Sequence, residues 1–510
     1  MNRRRLLLIN PPQTYPVELE NEYQSYLPMG LAYLAAIARE EDYDVRILDC
    51  LEDETKTQTG SNVCFGKEQS EILNEVKAFS PDIVGISNPF SMFQSDADGV
   101  ARLIRQYDRS IPIMLGGISS SIRSLAEKVM STDNYDILVK GEGEYTTRDI
   151  LSHYIAEQRQ IVDLENIKGI WFKKGKKVIE NPDRPFILNL DSLPLPALDL
   201  FNIDKTLSNR YYSRWRNDPI DKKTLPVFTS RGCPYHCIFC SIHSQVGYKH
   251  RSFSNEYVLE YLKQCKEKYG VSHFHFEDDN LTLDYQKSLY LFKSMKKLNI
   301  TWDTPNGVRA DTIDEPLLHA MIESGLIGIS MAAESGNNHV LKTIIHKNLK
   351  TESVVKVAKL ADKFDLPCVV FFVLGFPGET IENIKETILF SRELTNMYGT
   401  INTFYVANPL PGTELENIAL NNGFIQSDLS ETDYLKAIRI NQRPILETPQ
   451  FNKRIIFDTI AKLIPPENYS IHGNSIPMFW SLQTHVMERA KRLYPKINMN
   501  KKYVWEWHND

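Results

Sequence analysis

The chain has 510 residues, more than one hydrophobic core accommodates, because single cores stop growing near ~250–300 residues. With 42% hydrophobic and 24% charged residues it reads as globular rather than disordered, and a net charge of −6 excludes an overall polycation that grips nucleic acid by charge alone. Seven cysteines, an odd and sparse number at this length, exclude a disulfide scaffold.

The first apolar run, Leu6–Ile9, is too short for the core of a secretory signal. The longest, about Leu366–Phe376, contains Pro367 and Gly375 and falls short of the ~20 residues of a membrane span. A soluble, cytoplasmic protein without a transmembrane segment is expected. Leu6–Asn10, Val45–Asp49, Ile83–Ser87, Ile113–Leu115 and Ile137–Val139 read as strands. Helical stretches at Gly30–Glu40, Glu71–Phe79, Ala97–Tyr107 and Ile122–Met130 alternate with them, which indicates an α/β, doubly wound parallel sheet over residues 1–150. Ligands of such sheets sit at the carboxyl ends of the strands. Those ends carry Asn10-Pro11-Pro12, Ser87-Asn88-Pro89, Gly116-Gly117-Ile118-Ser119 and Gly141-Glu142-Gly143-Glu144, loops through which backbone can approach a large flat ligand. Taken singly each is also an ordinary α/β turn, and Ser119 could instead cap the helix that follows. No G-x-G-x-x-G follows the first strand, so a dinucleotide fingerprint is absent.

Residues 151–225 read as a linker with a small hairpin turning on Gly175, and Leu193-Pro194-Leu195-Pro196 suits neither helix nor central strand. A second alternating pattern fills 226–424. Its strand candidates are Val227–Ser230, His273–Glu277, Thr301–Asn306, Ile327–Ala333, Cys368–Leu374 and Phe404–Ala407, with helices such as Asn255–Tyr269 and Ser353–Phe364 between them. Six β/α units predict a partial (β/α)6 TIM barrel with its site at the strands' C-terminal ends. Residues 425–510 read as a small, mostly helical region without a motif. The basic, aromatic run Arg489–Trp507 within it reads as a solvated face, a docking tail or a contact for a lipid surface.

Three of the seven cysteines, Cys233, Cys237 and Cys240, fall within eight residues in a C-x3-C-x2-C pattern after the first barrel strand. Three thiolates on one loop can ligate three irons of a cubic iron–sulfur cluster and leave the fourth iron open for chemistry. A Cys3His zinc site using His236 or His243 is the competing reading. Cys265 and Cys368 read as packing residues, with a substrate-side role as the alternative for Cys368.

With Phe239 before its last cysteine, this loop resembles the radical S-adenosylmethionine (SAM) superfamily. The resemblance implies a [4Fe–4S] cluster whose open iron binds SAM, and SAM cleavage to a 5′-deoxyadenosyl radical that abstracts a substrate hydrogen. It implies SAM contacts from Phe239, from Glu277 and Asp278 after the second strand, and from Arg309 after the third. Glu334 after the fourth strand would hold the ribose, and Gly375 and Pro377 in Gly375-Phe376-Pro377-Gly378-Glu379 would lie against adenine. An electron donor such as flavodoxin or ferredoxin is implied as partner.

Beside that domain, residues 1–150 resemble the cobalamin (B12)-binding module that precedes many radical SAM domains. The matching pieces are Asn10-Pro11-Pro12, Pro28-Met29-Gly30-Leu31, Gly116-Gly117 and Val139-Lys140-Gly141-Glu142-Gly143-Glu144. Candidate cobalamin contacts are Ser87, Asn88, Gly116, Gly117, Ser119, Gly141 and Glu142. The D-x-H-x-x-G loop that brings an axial histidine in other cobalamin proteins is absent, which implies cobalt bound without a protein histidine. The function implied is a cobalamin-dependent radical SAM methyltransferase that passes a methyl group from methylcobalamin to an unactivated carbon of a small molecule or lipid. The alternatives are cyclisation, oxidation or rearrangement with the same cofactors, or a non-catalytic cobalamin- or zinc-binding sensor.

Overall fold

The computed structural model describes residues 3–23, 25–53, 55–205, 223–426, 428–438, 443–463, 470–471 and 474–475. They form two compact units. One takes the described residues up to 205 together with 241–251 and 430–432; the other takes 223–240, 252–429 and the described residues from 433 onward.

The first unit is built on β1 (Arg5–Asn10), α1 (Met29–Glu40), β2 (Asp44–Asp49), α2 (Gln69–Phe79), β3 (Ile83–Asn88) and α3 (Gln94–Tyr107). β4 (Ile113–Gly117), α4 (Arg123–Met130), β5 (Ile137–Val139), α5 (Glu144–Ser152), β6 (Ile170–Lys174) and β7 (Lys177–Glu180) complete it. The sheet order is β7-β6-β5-β4-β3-β1-β2, with β1 to β5 parallel. Leu6, Leu7, Leu8 and Ile9 are all fully buried, as a parallel strand covered on both faces requires. After β2 the chain crosses to the far side of β1 to start β3, so the crevice between the carboxyl ends of β1 and β3 is the topological switch point.

The hairpin expected in the linker is β6–β7, and it extends this sheet by antiparallel pairing of β6 with β5, turning at Gly175 with φ +62°. A three-stranded antiparallel sheet of Gln13–Pro16, Lys56–Thr59 and Asn62–Phe65 was not legible, because Lys56-Thr57-Gln58-Thr59 is polar and wholly exposed. It is held by Tyr15, Tyr23, Phe65 and Phe93, with Tyr23 and Phe65 stacked at 4.0 Å. Segment 241–251 is tied in by Arg251, whose Nη1 lies 2.8 Å from both carboxylate oxygens of Glu142, both side chains being buried.

The second unit alternates β8 (Thr224–Val227), α6 (Asn255–Tyr269), β9 (His273–Phe276), α7 (Tyr285–Met295), β10 (Thr301–Asp303) and α8 (Glu315–Glu323). It continues with β11 (Ile329–Glu334), α9 (Thr351–Lys363), β12 (Cys368–Leu374), α10 (Ile381–Tyr398), β13 (Ile401–Val406) and α11 (Glu414–Asn421). Two parallel sheets, β8-β9-β10 and β11-β12-β13, are joined by the isolated parallel bridges Trp302↔Leu326 and Val308↔Met331 into a six-strand partial barrel. Side-chain caps start the helices: Ser254 accepts from the Tyr257 amide, Asp284 from Lys287, Asp314 from Leu317 and Thr380 from Asn383. Gly270 and Gly399, both at positive φ, end α6 and α10.

β8 departs from the expected Val227–Ser230 and lies earlier, across Pro226. Proline argues against a central strand, but β8 is the edge of its sheet, where a missing N–H is tolerated. Beyond the barrel the described residues include helices Glu431–Ile438 and Lys453–Leu463; the run Arg489–Trp507 lies outside the described residues. No helix among the described residues is long and apolar enough to cross a membrane.

Candidate active site

In the second unit the loop after β8 is anchored from below. Asp278, 2% exposed, accepts from the Thr229 amide at 3.0 Å and from the hydroxyls of Thr229 and Ser230 at 2.8 and 2.5 Å. Burial pushes its carboxyl above the ordinary range, and these donors offset part of that rise. Asp278 thus fixes the root of the cysteine loop. Gly232 then turns the chain at φ +85°.

The three cysteines are partly buried, and none of the seven forms a disulfide. The Cys240 amide donates to the Cys237 carbonyl at 3.1 Å, closing the second half of the motif into a turn. Between them Ile238 inserts into a core of Val340, Leu341, Ile345, Phe376, Leu415 and Ala419. Its backbone is tied on both sides, N–H to the Ile345 carbonyl and C=O to the Leu415 amide. Phe239 packs against Phe376, ring centroids 5.7 Å apart. The loop is therefore bolted between apolar residues while its sulfurs stay at the surface of the core.

Zinc with Zn–S bonds near 2.3 Å would draw its sulfurs to about 3.8 Å of one another. Among the described residues the only cluster of three or more metal-ligating side chains gathered within 4.8 Å is His273, His275 and Asp303, not the cysteines. The three thiols are not gathered within 4.8 Å of one another in the way a single zinc would hold them. Burial raises the Cys237 thiol, with the Lys347 charge opposing, so this thiol must release its proton when it takes up metal.

Asn280, 2% exposed, turns its Nδ2 toward Cys233 Sγ at 3.8 Å, which leaves its Oδ1 buried without a hydrogen-bond partner. Glu379 is fully buried; one oxygen accepts from the Gly375 and Phe376 amides at 2.7 and 3.1 Å, while Oε1 has no partner. Burial pushes its carboxyl up to about 7. Two orphaned acceptors at the C-terminal ends of parallel strands are what a ligand with amine and amide-like donors would satisfy.

Other expected residues carry loads within the protein. Arg309 makes a double hydrogen bond to Asp311, donates to the Lys347 carbonyl and stacks 3.6 Å over Tyr235 of the cysteine loop. Glu334, at φ +65° beside a register shift in β11, forms a buried ion pair with Lys347 at 2.8 Å. Glu277 is partly exposed, and its carbonyl accepts from Asn306 at 3.0 Å. Gly375 and Gly378 take φ +92° and +90° around the partly exposed Pro377. Sequence reading missed Lys347, Tyr235 and the roles of Asn280 and Glu379.

In the first unit Ser87 and Gly116 pair at the ends of β3 and β4, and a Cβ built on Gly116 would meet nothing within 4 Å. That open backbone face suits a flat ligand. Gly117 instead packs on the Asn88 carbonyl, where a Cβ would come within 1.9 Å. Asn88 is buried and donates to Gln94 and Ser119; Ser119 lies in a one-turn helix, Ile118–Ser121, and does not cap α4. The Gly141 amide donates to Ser121 Oγ at 3.0 Å. The Glu142 carboxylate is engaged by Arg251 and by the Ile187 amide at 2.7 Å.

Two family models match the chain: the Radical SAM superfamily over residues 227–391 and the B12 binding domain over residues 20–151. An uncharacterised methyltransferase of Pyrococcus horikoshii is 32% identical over 401 residues, spanning 78% of this chain and 79% of that protein. Cytidylyl-2-hydroxyethylphosphonate methyltransferase of Streptomyces wedmorensis is 28% identical over 460 residues, 84% of each. The fold is that of the radical S-adenosylmethionine methyltransferase TsrM from Kitasatospora setae, solved with cobalamin and a [4Fe–4S] cluster. The TM-score is 0.66 at 16% identity, covering 94% of this chain and 93% of that one.

Proposed function

Because the chain belongs to the cobalamin-dependent radical SAM family, with a [4Fe–4S] cluster, SAM and cobalamin as its cofactors, we propose that it methylates an unactivated carbon of a small molecule or lipid. The observation that carries this reading is the three-cysteine loop bolted by Ile238 and Asp278 beside two orphaned buried acceptors. When bound, the reduced cluster supplies one-electron cleavage of SAM, and cobalamin supplies the methyl group.

Cys233, Cys237 and Cys240 would hold three irons. Asn280 Oδ1 would accept from the SAM amino group, and its Nδ2 would tune the Cys233 sulfur. The Glu379 carboxylate would shape the Gly375–Gly378 turn against adenine. The Glu334–Lys347 pair would present a carboxylate edge to the ribose. Ser87 and Gly116 would line the open face for the corrin. A low-potential donor such as flavodoxin or ferredoxin would supply the electron.

The test is anaerobic, reconstituted enzyme with SAM labelled in its methyl group, a reductant, and a small-molecule and lipid extract of the source cells. S-adenosylhomocysteine and 5′-deoxyadenosine should form together, and label should appear in one extract component. Deoxyadenosine without S-adenosylhomocysteine would replace methylation by cyclisation or rearrangement.

A further inference from the structure

The second unit carries a cluster that the chemistry above does not use. β9 presents Phe274 and Phe276 on one face and His273 and His275 on the other, following the two-residue period of a strand. β10 matches it in register, with His273 beside Thr301 and His275 beside Asp303. The aromatic face packs outward: Phe276 and Trp302 lie 4.6 Å apart, and Trp302 stacks on Phe292 of α7 at 5.0 Å. The polar face points the other way, into the barrel, and His273, His275 and Asp303 are 2%, 5% and 1% exposed. One ligand atom from each lies within 4.8 Å of the others.

The hydrogen bonds around the cluster place one imidazole proton. Thr301 Oγ1 donates to the Ser272 carbonyl at 3.2 Å, so it accepts from His273 Nδ1 at 2.9 Å, and that nitrogen carries the proton. His273 then turns Nε2 toward Asp303 Oδ2 at 3.8 Å. That gap is wider than a direct hydrogen bond. A metal with bonds near 2.0 Å spaces its ligands by about 3.3 Å, close to the gap seen. His275 meets the other oxygen of Asp303 through Nδ1, and the Thr301 hydroxyl orients His273 from behind, as outer groups orient metal-bound imidazoles.

We infer that His273, His275 and Asp303 form a second, buried metal site for a divalent ion of the zinc or ferrous class, distinct from the cysteine loop. Two imidazoles and one carboxylate select these ions over calcium or magnesium. The site straps β9 to β10, and β9 leads directly to Asp278 and Asn280, which hold the cysteine loop and touch Cys233.

The full chain with Cys233→Ser, Cys237→Ser and Cys240→Ser removes the competing thiolates. Stripped with chelator, loaded with Zn²⁺ alone and gel-filtered, it should retain one zinc per chain by elemental analysis. His273→Gln and Asp303→Asn in that background should each lower retained zinc at least tenfold. Cobalt(II) in place of zinc should give visible ligand-field bands without thiolate charge-transfer. A chain that is folded by circular dichroism yet retains no zinc overturns the inference, as does zinc that persists in both variants. Should the cysteine-free chain not fold, wild-type enzyme with its cluster filled is stripped of loosely held metal with chelator, loaded with excess Zn²⁺, gel-filtered and assayed for zinc beside its four irons. One zinc then supports the site, and less than a tenth of one overturns it.

Discussion

Asn280 shows how one side chain serves two neighbours. Its Nδ2 donates to Cys233 Sγ, and a donor on a cluster sulfur stabilises the reduced, more negative state. Asn280→Ala should lower the cluster's midpoint potential by about 20–60 mV, the scale of a net hydrogen bond of about 0.5–1.5 kcal/mol, read by spectroelectrochemical titration. Glu379 makes a pH prediction with a definite sign. Its carboxyl is raised by burial from 4.5 to about 7, so the folded state binds the extra proton between those values. The stability it contributes is present below about pH 4.5 and is lost as pH rises to about 7, on the order of 3 kcal/mol. Glu379→Gln should flatten that part of the urea-denaturation profile, and an unchanged slope would remove Glu379 as its source. The cysteines and the residues after each strand were legible because their spacing is local. What they bond to was not: Asp278 reaches Thr229 across 49 residues, and the Glu334–Lys347 pair depends on a backbone turn at positive φ.

At the scale of elements, the two glycines that end β4 look alike in sequence and differ in what they face. Gly117→Ala sets a Cβ 1.9 Å from the Asn88 carbonyl at φ +121°, and should destabilise the first unit by on the order of 3 kcal/mol or more. Gly116→Ala meets no neighbour within 4 Å, so stability should stay within about 0.5 kcal/mol while cobalamin affinity falls about tenfold or more by equilibrium dialysis. Equal destabilisation by both, or unchanged affinity in Gly116→Ala, would contradict this division. The strands of both units were readable from continuous apolar runs, because a parallel sheet buries both faces. The edge strand β8 was misplaced, since Pro226 is forbidden only where its N–H would be needed. The small antiparallel sheet near residue 60 escaped because its outer strand is polar, and its aromatics come from four separate places in the chain.

For the whole molecule, two compact units account for a length that no single core could fill, but they are not two consecutive stretches of chain. Residues 241–251 return to the first unit after the cysteine motif, and their Arg251 neutralises the buried Glu142. Dissection at a single peptide bond therefore strands a charge. A recombinant fragment of residues 1–205 would keep Glu142 and lose Arg251, a defect of about 3–5 kcal/mol for an uncompensated buried ion. Glu142→Gln should therefore destabilise the intact protein yet stabilise that fragment, a reversal measurable by urea titration of the two pairs. The same sign in both would mean that Arg251 is not the partner that matters. For protein production, the boundary of an independently expressible cobalamin module is thus set by an ion pair spanning 109 residues, and a soluble version requires either grafting 241–251 back on or deleting the charge it serves.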